Sequence, residues 1–234
     1  MYKYRAQITK GEEIRYISHL DYAGVMERAI RRAKLPAAYS EGFNPHLKLA
    51  FASALSLGVS SEAEYMDFEL TKDICQPEVF EKLQQALPPG VKLIKLKQVR
   101  EPKPCEGKKH KALMAEVEES MYELLMPLTG DWEAAVQSVK NFNQASQVVF
   151  HRVTPKKTRD IEAKQYMLKP VAVAMQGEKL KLTMDIALTQ TGSIKPGEIL
   201  QILHNTYNLP VDIGKALIKR TAMMGCGKPL IDLV

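Results

Sequence analysis

The sequence predicts an α+β fold built from two ferredoxin-like (βαββαβ) units with antiparallel sheets. The first observation is the order of apolar patterns in residues 1–100: strand, helix, two or three strands, helix, strand. The second is that a similar order recurs in residues 112–234, without repeated sequence identity. The third is segment 101–111, EPKPCEGKKHK, which contains two prolines, a glycine and four lysines. Its apolar residues follow no periodic pattern, which indicates a linker.

In the first unit, residues 3–9 alternate between polar and apolar side chains, as a half-buried strand does. Ser18 is placed to cap a helix, with Asp21 three residues further on. This helix should end near Lys34, because Pro36 prevents its continuation. The other elements predicted here are strands at 37–39, 47–51, 63–70 and 91–99 and a helix opened by Pro77.

The second unit shows turn signals and periodic apolar residues in a similar order. One helix begins at Asp131 and another is opened by Pro196. Gln176-Gly177 is a tight-turn signal between two strands, and segment 215–223 fits either a strand or a helix. The other strands are predicted at 116–128, 147–153, 171–175 and 179–188.

The composition is that of a globular protein with a mildly basic surface. Of 234 residues, 45% are hydrophobic and 26% are charged, and the formal net charge is +6. Such a balance favours polyanions such as RNA, DNA or anionic lipid. The N-terminus has no apolar signal core, and no run reaches the ~18 apolar residues of a membrane helix. We therefore expect a cytoplasmic protein with no membrane partner.

The cysteines give no indication of a metal centre. Cys75, Cys105 and Cys226 are far apart, and no CxxC spacing occurs, so neither a zinc site nor an iron–sulfur cluster is predicted. The glycine-rich tail at 225–229 lacks the spacing of a nucleotide phosphate loop, and GxGxxG, HExxH and GxSxG are absent. We expect no cofactor and no metal.

The exposed face of the first predicted helix carries three guanidinium groups. Arg28 and Arg32 follow Asp21 at seven and eleven residues, so they lie along one stripe, and Arg31 lies beside it. Such a cluster matches phosphate geometry. The alternative is a solvated helix face whose charges Asp21 and Glu27 partly compensate.

The turn at 39–46, YSEGFNPH, follows this helix. Gly42 permits a positive φ, and the turn should present Phe43 and His46 at its rim. Phe43 could stack on a base and His46 could contact a phosphate or donate a proton; alternatively, both anchor the loop, with Phe43 in the core. The candidate contact residues of this turn are Tyr39, Ser40, Phe43, Asn44 and His46.

Two histidines are candidates for acid–base chemistry. His19 follows the helix cap and His46 ends the turn, so they flank one helix-to-strand unit. If the two side chains meet, one base and one acid could cleave RNA through its 2′-hydroxyl. The alternative is that His19 is a satisfied helix-start residue.

A second basic cluster lies in the other unit. Lys156, Lys157 and Arg159 follow Arg152 and precede Lys164. A loop or edge strand of this kind could follow a phosphate backbone. It could equally protect a sheet edge from aggregation.

The residues from Ser18 to Tyr65 resemble those of a bacterial radical-SAM-linked protein family, a domain of unknown function. The resemblance is carried, in order, by SHLD, ERAIRR, LPxxYSxGFNPH and FASALSLG, and more loosely by TRDIEAKQY at 158–166. Members are encoded beside, or fused to, a cobalamin-binding-type radical SAM protein, often near a ribonuclease of the E/G type and ribosomal protein genes. The resemblance implies RNA or ribosome-linked work and a partner that carries the iron–sulfur cluster.

These observations support three hypotheses. The leading one is an RNA-binding or substrate-presenting accessory protein that works with a radical SAM enzyme in RNA or ribosome maturation. The second is an enzyme, a metal-independent ribonuclease or a transferase that uses His19 and His46. The third is a pure protein-interaction subunit.

Overall fold

The structure is a computed structural model that describes residues 1–99, 112–155, 157–189 and 191–234. The chain forms two compact units. The first comprises Met1–Glu118 and Ala222–Val234, and the second comprises Glu119–Thr221. The predicted linker at 101–111 lies outside the described residues. The second unit predicted from the sequence comprises residues 112–234, whereas 112–118 and 222–234 belong to the first unit in the structure.

The first unit contains the strands and helices of a βαββαβ sequence. These elements are β1 (Tyr2–Lys10), α1 (His19–Arg32), β2 (Leu49–Phe51), β3 (Val59–Leu70), α2 (Gln76–Ala86) and β4 (Leu93–Val99). Strand β1 pairs antiparallel with both β3 and β4, and β2 pairs antiparallel with β3. The structure thus confirms the α+β class and the antiparallel sheet of this unit.

One face of this sheet packs against α1 and α2. Met26 and Ile30 of α1 and Leu83 of α2 are fully buried. They contact the alternate β1 residues Ala6 and Ile8 in one apolar cluster, because successive strand residues point to opposite faces. The helix periodicity and the strand alternation therefore build a single core.

The other face of the sheet buries a charged network. Arg5 is 1% exposed and donates from Nε and Nη2 to the Asp67 carboxylate, at 2.8 and 3.1 Å. Its Nη1 donates to Glu116 Oε2 at 2.6 Å and to the Leu230 carbonyl at 2.9 Å. These contacts explain why residues 112–118 and the C-terminal segment pack with the first unit.

The second unit has the same order of main elements, with a hairpin inserted after its first helix. Its elements are β5 (Glu119–Pro127), α3 (Trp132–Gln144), β6 (Val149–Thr154), β7 (Lys157–Glu162), β8 (Ala172–Gln176), β9 (Lys179–Ala187), α4 (Pro196–Asn205) and the first part of β10 (Leu217–Gly225). The end of β10 and β11 (Lys228–Pro229) belong to the first unit. Strand β5 lies beside β9 and β10, and β8 pairs with β9. Among the described strands, β6 and β7 pair with each other in a separate two-stranded sheet.

Two expectations for this unit are now resolved. Segment 215–223, which fitted a strand or a helix, is mostly strand β10. The basic segment after β6 continues into a strand, so it completes a hairpin. Within the ranges that the structure describes, none of the helices is both long and apolar enough to cross a membrane.

Candidate nucleic-acid interface

The loop before α1 is held by a buried lysine. Lys10 is 1% exposed, and its amine donates to the carbonyl oxygens of Arg15 and Ile17, at 3.1 and 2.8 Å. Burial lowers the pKa of Lys10, although the nearby Glu64 carboxylate acts in the opposite direction. At the helix start, Ser18 Oγ accepts a hydrogen bond from the Asp21 N–H at 3.1 Å, which confirms the predicted cap.

The loop after α1 is a closed turn with an exposed tip. Tyr39 and Leu47 form a β-bridge. The Ser40 N–H donates to the His46 carbonyl at 2.8 Å, and the His46 N–H donates to Ser40 Oγ at 2.9 Å. Gly42 has a φ of +120°, which a residue with a side chain rarely adopts. The ring of Phe43 therefore projects from a loop that its own backbone closes.

Phe43 is the most exposed large apolar side chain in the described part of the molecule. Its relative accessibility is 107%, so it is not packed in the core as the alternative interpretation required. Asn44 and His46 are also exposed in this turn, whereas Ser40 is half-buried. The turn thus presents an aromatic ring, an amide and an imidazole to solvent.

Arg31 and Arg32, two of the three arginines of α1, have different partners. Arg31 lies over the Tyr39 ring, with its Cζ atom 5.9 Å from the centroid, and forms a loose ion pair with Glu27 at 3.8 Å. Arg32 donates from Nη2 to the Ala86 carbonyl at 2.7 Å, which joins the ends of α1 and α2. Arg31 is therefore the arginine that extends towards the loop, and Arg32 is partly engaged in tertiary structure.

Arg32 also borders a basic cleft between the C-terminal ends of α1 and α2. The cleft is open and has a volume of about 590 Å³. Lys34 and Lys82 contribute two further cations, although Lys82 also pairs with Glu78 at 2.7 Å. This cleft could receive an anionic group, but its described lining offers no aromatic ring for a base.

The two candidate histidines have different surroundings. His19 is half-buried, and its ring packs edge-on against Phe51 with centroids 5.2 Å apart. His46 is exposed in the turn. The contact with Phe51 fits a helix-start residue that packs on the core, and an acid–base pairing of the two histidines stays a prediction.

The second basic cluster is divided between structural and exposed side chains. Arg152 donates to both oxygens of the Glu198 carboxylate and to the Ser193 carbonyl, so it fastens the β6–β7 hairpin to the start of α4. Lys164 donates to the Phe142 and Asn143 carbonyls near the end of α3. Both side chains are therefore used within the unit.

Arg159 is exposed and lies opposite Arg152 in the register of the hairpin. Lys157 is the first residue of β7, and Lys156 lies outside the described residues. Among the described side chains of the predicted cluster, Arg159 is the one available to an anion.

Tyr16 is not among the contact residues predicted from the sequence. Tyr16, directly before α1, is 67% exposed, and the Arg15 guanidinium carbon lies 4.6 Å from its ring centroid. Arg15 also donates to the Tyr16 hydroxyl at 3.3 Å. The sequence signal was an arginine next to a tyrosine at the start of a polar stretch, which by itself does not distinguish an exposed ring from a buried one.

Comparison with known proteins identifies a family match over most of the chain. A model of the family described as "Uncharacterized protein conserved in bacteria (DUF2344)" matches residues 3–196. No curated protein matches the chain.

Solved structures resemble the chain at 10–11% identity. A chain in "Crystal Structure of a Cbf5-Nop10-Gar1 Complex" has a TM-score of 0.48 and covers 93% of this chain and 48% of its own length. A chain in "Crystal structure of the archaeal box H/ACA sRNP Nop10-Cbf5 complex" has a TM-score of 0.46, and the match covers 97% of this chain and 53% of that chain. A chain in "Crystal Structure of an Unknown Protein from Galdieria sulphuraria" has a TM-score of 0.26, and the match covers 94% of this chain and 98% of that chain. This chain spans about half the length of the first two, and TM-scores this low do not identify a shared function.

Proposed function

We propose an RNA-binding function for this chain, which belongs to the bacterial family whose model matches residues 3–196. In this proposal the protein is a cytoplasmic accessory that holds RNA, or an RNA-bound partner, for a radical SAM enzyme in RNA or ribosome maturation. The first unit provides the binding surface. Arg28 and Arg31 bind phosphate, and the turn at 39–46 binds a base.

The observation that carries the proposal is the exposure of Phe43. An aromatic ring that is fully solvated contributes nothing to the core, and hydrogen bonds close the turn that carries it. Base-stacking platforms in proteins that bind single-stranded nucleic acids combine such rings with nearby cations. The guanidinium of Arg31, stacked on Tyr39 at the base of the turn, is a cation of this kind.

The radical SAM part of the proposal is supported by the sequence motifs. SHLD at 18–21 forms the capped start of α1, and GFNPH at 42–46 forms most of the exposed turn. These two of the motifs that carry the resemblance therefore belong to the candidate surface or to its immediate support. The partner would supply the iron–sulfur cluster, and this chain would supply the contacts with RNA.

The direct test is the binding of labelled oligouridylate to Phe43 variants, followed by fluorescence anisotropy. Phe43→Ala should weaken binding by about 1–3 kcal/mol, the contribution of one base–aromatic stack. Phe43→Trp should preserve binding, because the stacking face remains, whereas Phe43→Leu should not. Met114→Ala is a matched control, since Met114 is also exposed, at 68%, and lies outside the proposed surface.

The salt dependence of the same binding tests the arginines. Removing the cation that neutralises one phosphate of a single strand should reduce the slope of log K against log salt by about 0.7. Arg31→Ala and Arg28→Ala should each show this change, and Arg152→Ala should not. Wild-type affinity in the Phe43→Ala variant, together with an unchanged slope in the arginine variants, would refute the RNA proposal.

The partner is tested by copurification of the intact chain with a cobalamin-binding-type radical SAM protein from the same source. Ribonuclease treatment separates the two possible links. Loss of the complex on treatment supports an RNA-mediated association, whereas a complex that survives in the Phe43→Ala variant supports the pure interaction subunit.

A further inference from the structure

We infer that the RNA bound by this surface is single-stranded and extends along the exposed face of α1, from Phe43 at one end to Tyr16 at the other. This inference rests on the proposed function. It adds a second base contact and excludes duplex RNA as the preferred ligand.

The two ends of α1 carry the same kind of side-chain pair. At the C-terminal end, Arg31 stacks on Tyr39 beside the Phe43 turn. At the N-terminal end, Arg15 stacks on Tyr16, which is 67% exposed. Each end thus combines an exposed ring with a cation, as a base-stacking platform requires.

The face of α1 between these ends is shaped for a ligand. Leu20, Gly24, Arg28 and Arg31 follow one another at four, four and three residues, so they form one stripe along the helix. Leu20 is 81% exposed and Arg28 is exposed. The stripe therefore joins the two ends with an apolar side chain and two guanidinium groups, and the Glu27 carboxylate beside them pairs only loosely with Arg31, at 3.8 Å.

Gly24 is the least expected residue of this stripe. A glycine inside a helix is unfavourable relative to alanine. The three atoms closest to a Cβ placed there all belong to the Arg28 guanidinium, the nearest being Nη1 at 3.2 Å, so no other element requires the glycine. A Cβ there would push the Arg28 guanidinium outwards by a few tenths of an ångström, so the glycine lets this guanidinium lie close to the helix.

The dimensions and the chemistry favour a single strand. The 14 residues of α1 extend about 21 Å, which equals about six nucleotides at the stacked spacing of ~3.4 Å per nucleotide. A ring at each end can stack only on a base that is not covered by its neighbours in a duplex. Duplex RNA would offer its phosphates to the arginines but no base face to Phe43 or Tyr16.

The length dependence of binding tests this inference on the full chain. Oligouridylates of about three and about nine nucleotides, and a duplex of about nine base pairs, are titrated by fluorescence anisotropy. The longer single strand should bind more tightly than both the shorter strand and the duplex. In Tyr16→Ala, the gain from the longer strand should fall by roughly 5- to 150-fold, the value of one stacked base. In Leu20→Glu the gain should also fall, because a carboxylate on the path repels phosphate. Tyr16→Phe should retain the gain.

The outcomes separate the inference from the proposed function. If no RNA binds the wild type, the proposed function itself fails. If RNA binds through Phe43 but the gain with length survives in both Tyr16→Ala and Leu20→Glu, the path along α1 is overturned and the proposed function stands. Duplex binding equal to or tighter than that of the single strand also overturns the inference. Thermal unfolding confirms that each variant is folded.

Discussion

Replacing Arg5 by methionine should destabilise the first unit severely. The side chain is 1% exposed and connects three places in the chain: Asp67 on β3, Glu116, and the Leu230 carbonyl near the C-terminus. Methionine fills similar space but offers no donor. The variant therefore leaves two carboxylates and a carbonyl without their main partner.

The magnitude follows from what remains after the change. Removing one member of a buried ion pair costs about 3–5 kcal/mol, because the other charge stays buried. Asp67, which is 3% exposed, keeps an ion pair with Lys3 at 2.9 Å, so it is only partly uncompensated. Glu116 is 12% exposed and loses its guanidinium partner. We expect a loss of about 3–4 kcal/mol in the free energy of unfolding, which lowers the melting temperature by roughly 10 °C.

Urea and thermal unfolding, followed by circular dichroism, measure this effect. Arg31→Met is the matched control, because the same chemical change occurs at a side chain that is 55% exposed and whose contacts are a loose ion pair with Glu27 and the Tyr39 ring. The control should change the free energy of unfolding by less than about 0.5 kcal/mol. Equal losses in the two variants would show that the buried network adds nothing and would refute the reasoning.

Three further outcomes are expected. Gly225→Ala should destabilise the fold strongly, because a Cβ there would overlap the Glu116 carbonyl oxygen; a melting curve checks this. Burial raises the pKa of Tyr65 from 10.0 to about 12. The folded chain thus keeps a proton that the unfolded chain loses, and stability should fall between pH 10 and 12. The free energy of unfolding of Tyr65→Phe, measured with urea across this range, should fall less steeply than that of the wild type, by up to about 1.4 kcal/mol per pH unit. Arg152→Ala should lower the melting temperature, because its guanidinium joins the hairpin to Glu198, whereas Arg159→Ala, at an exposed side chain, should leave it unchanged.

Local signals in the sequence predicted the helices well. Ser18 caps α1 as expected, Pro77 lies in the first turn of α2, and Pro196 opens α4. Each signal acts through the backbone of its own segment, since it satisfies or removes N–H groups at a helix start. Such effects do not depend on the rest of the fold, and a single sequence is therefore sufficient to find them.

Pairing between distant segments was not accessible in the same way. Segment 215–223 fitted two types of structure, because its apolar residues follow no strict period and its strand form depends on neighbours far away in sequence. The packing of residues 112–118 and 222–234 with the first unit depends on Arg5, whose partners are up to 225 positions away. No local pattern encodes such a contact.

For the candidate surface too, local sequence patterns predicted some features, whereas others depend on contacts between segments. The helical period placed Arg28, Arg31 and Arg32 near one another, but it could not show that Arg32 would bind the end of α2 while Arg31 stacked on Tyr39. The position of Phe43 was equally open, because a turn residue can point into the core or away from it. In the structure the ring is fully exposed, so the side chain points away from the core.

The two loops that flank α1 are fixed before any ligand arrives, and this affects how tightly they can bind. Lys10 holds the loop that carries Tyr16 through two carbonyl hydrogen bonds, and the bridge between Tyr39 and Leu47 closes the loop that carries Phe43. Ordering a flexible segment on binding costs free energy, so a surface that folding has already ordered retains more of its contact energy. In the proposed function, the hydrogen-bonded turn at 39–46 already presents the exposed Phe43 ring before RNA binds, so less of the contact energy is lost to ordering the loop.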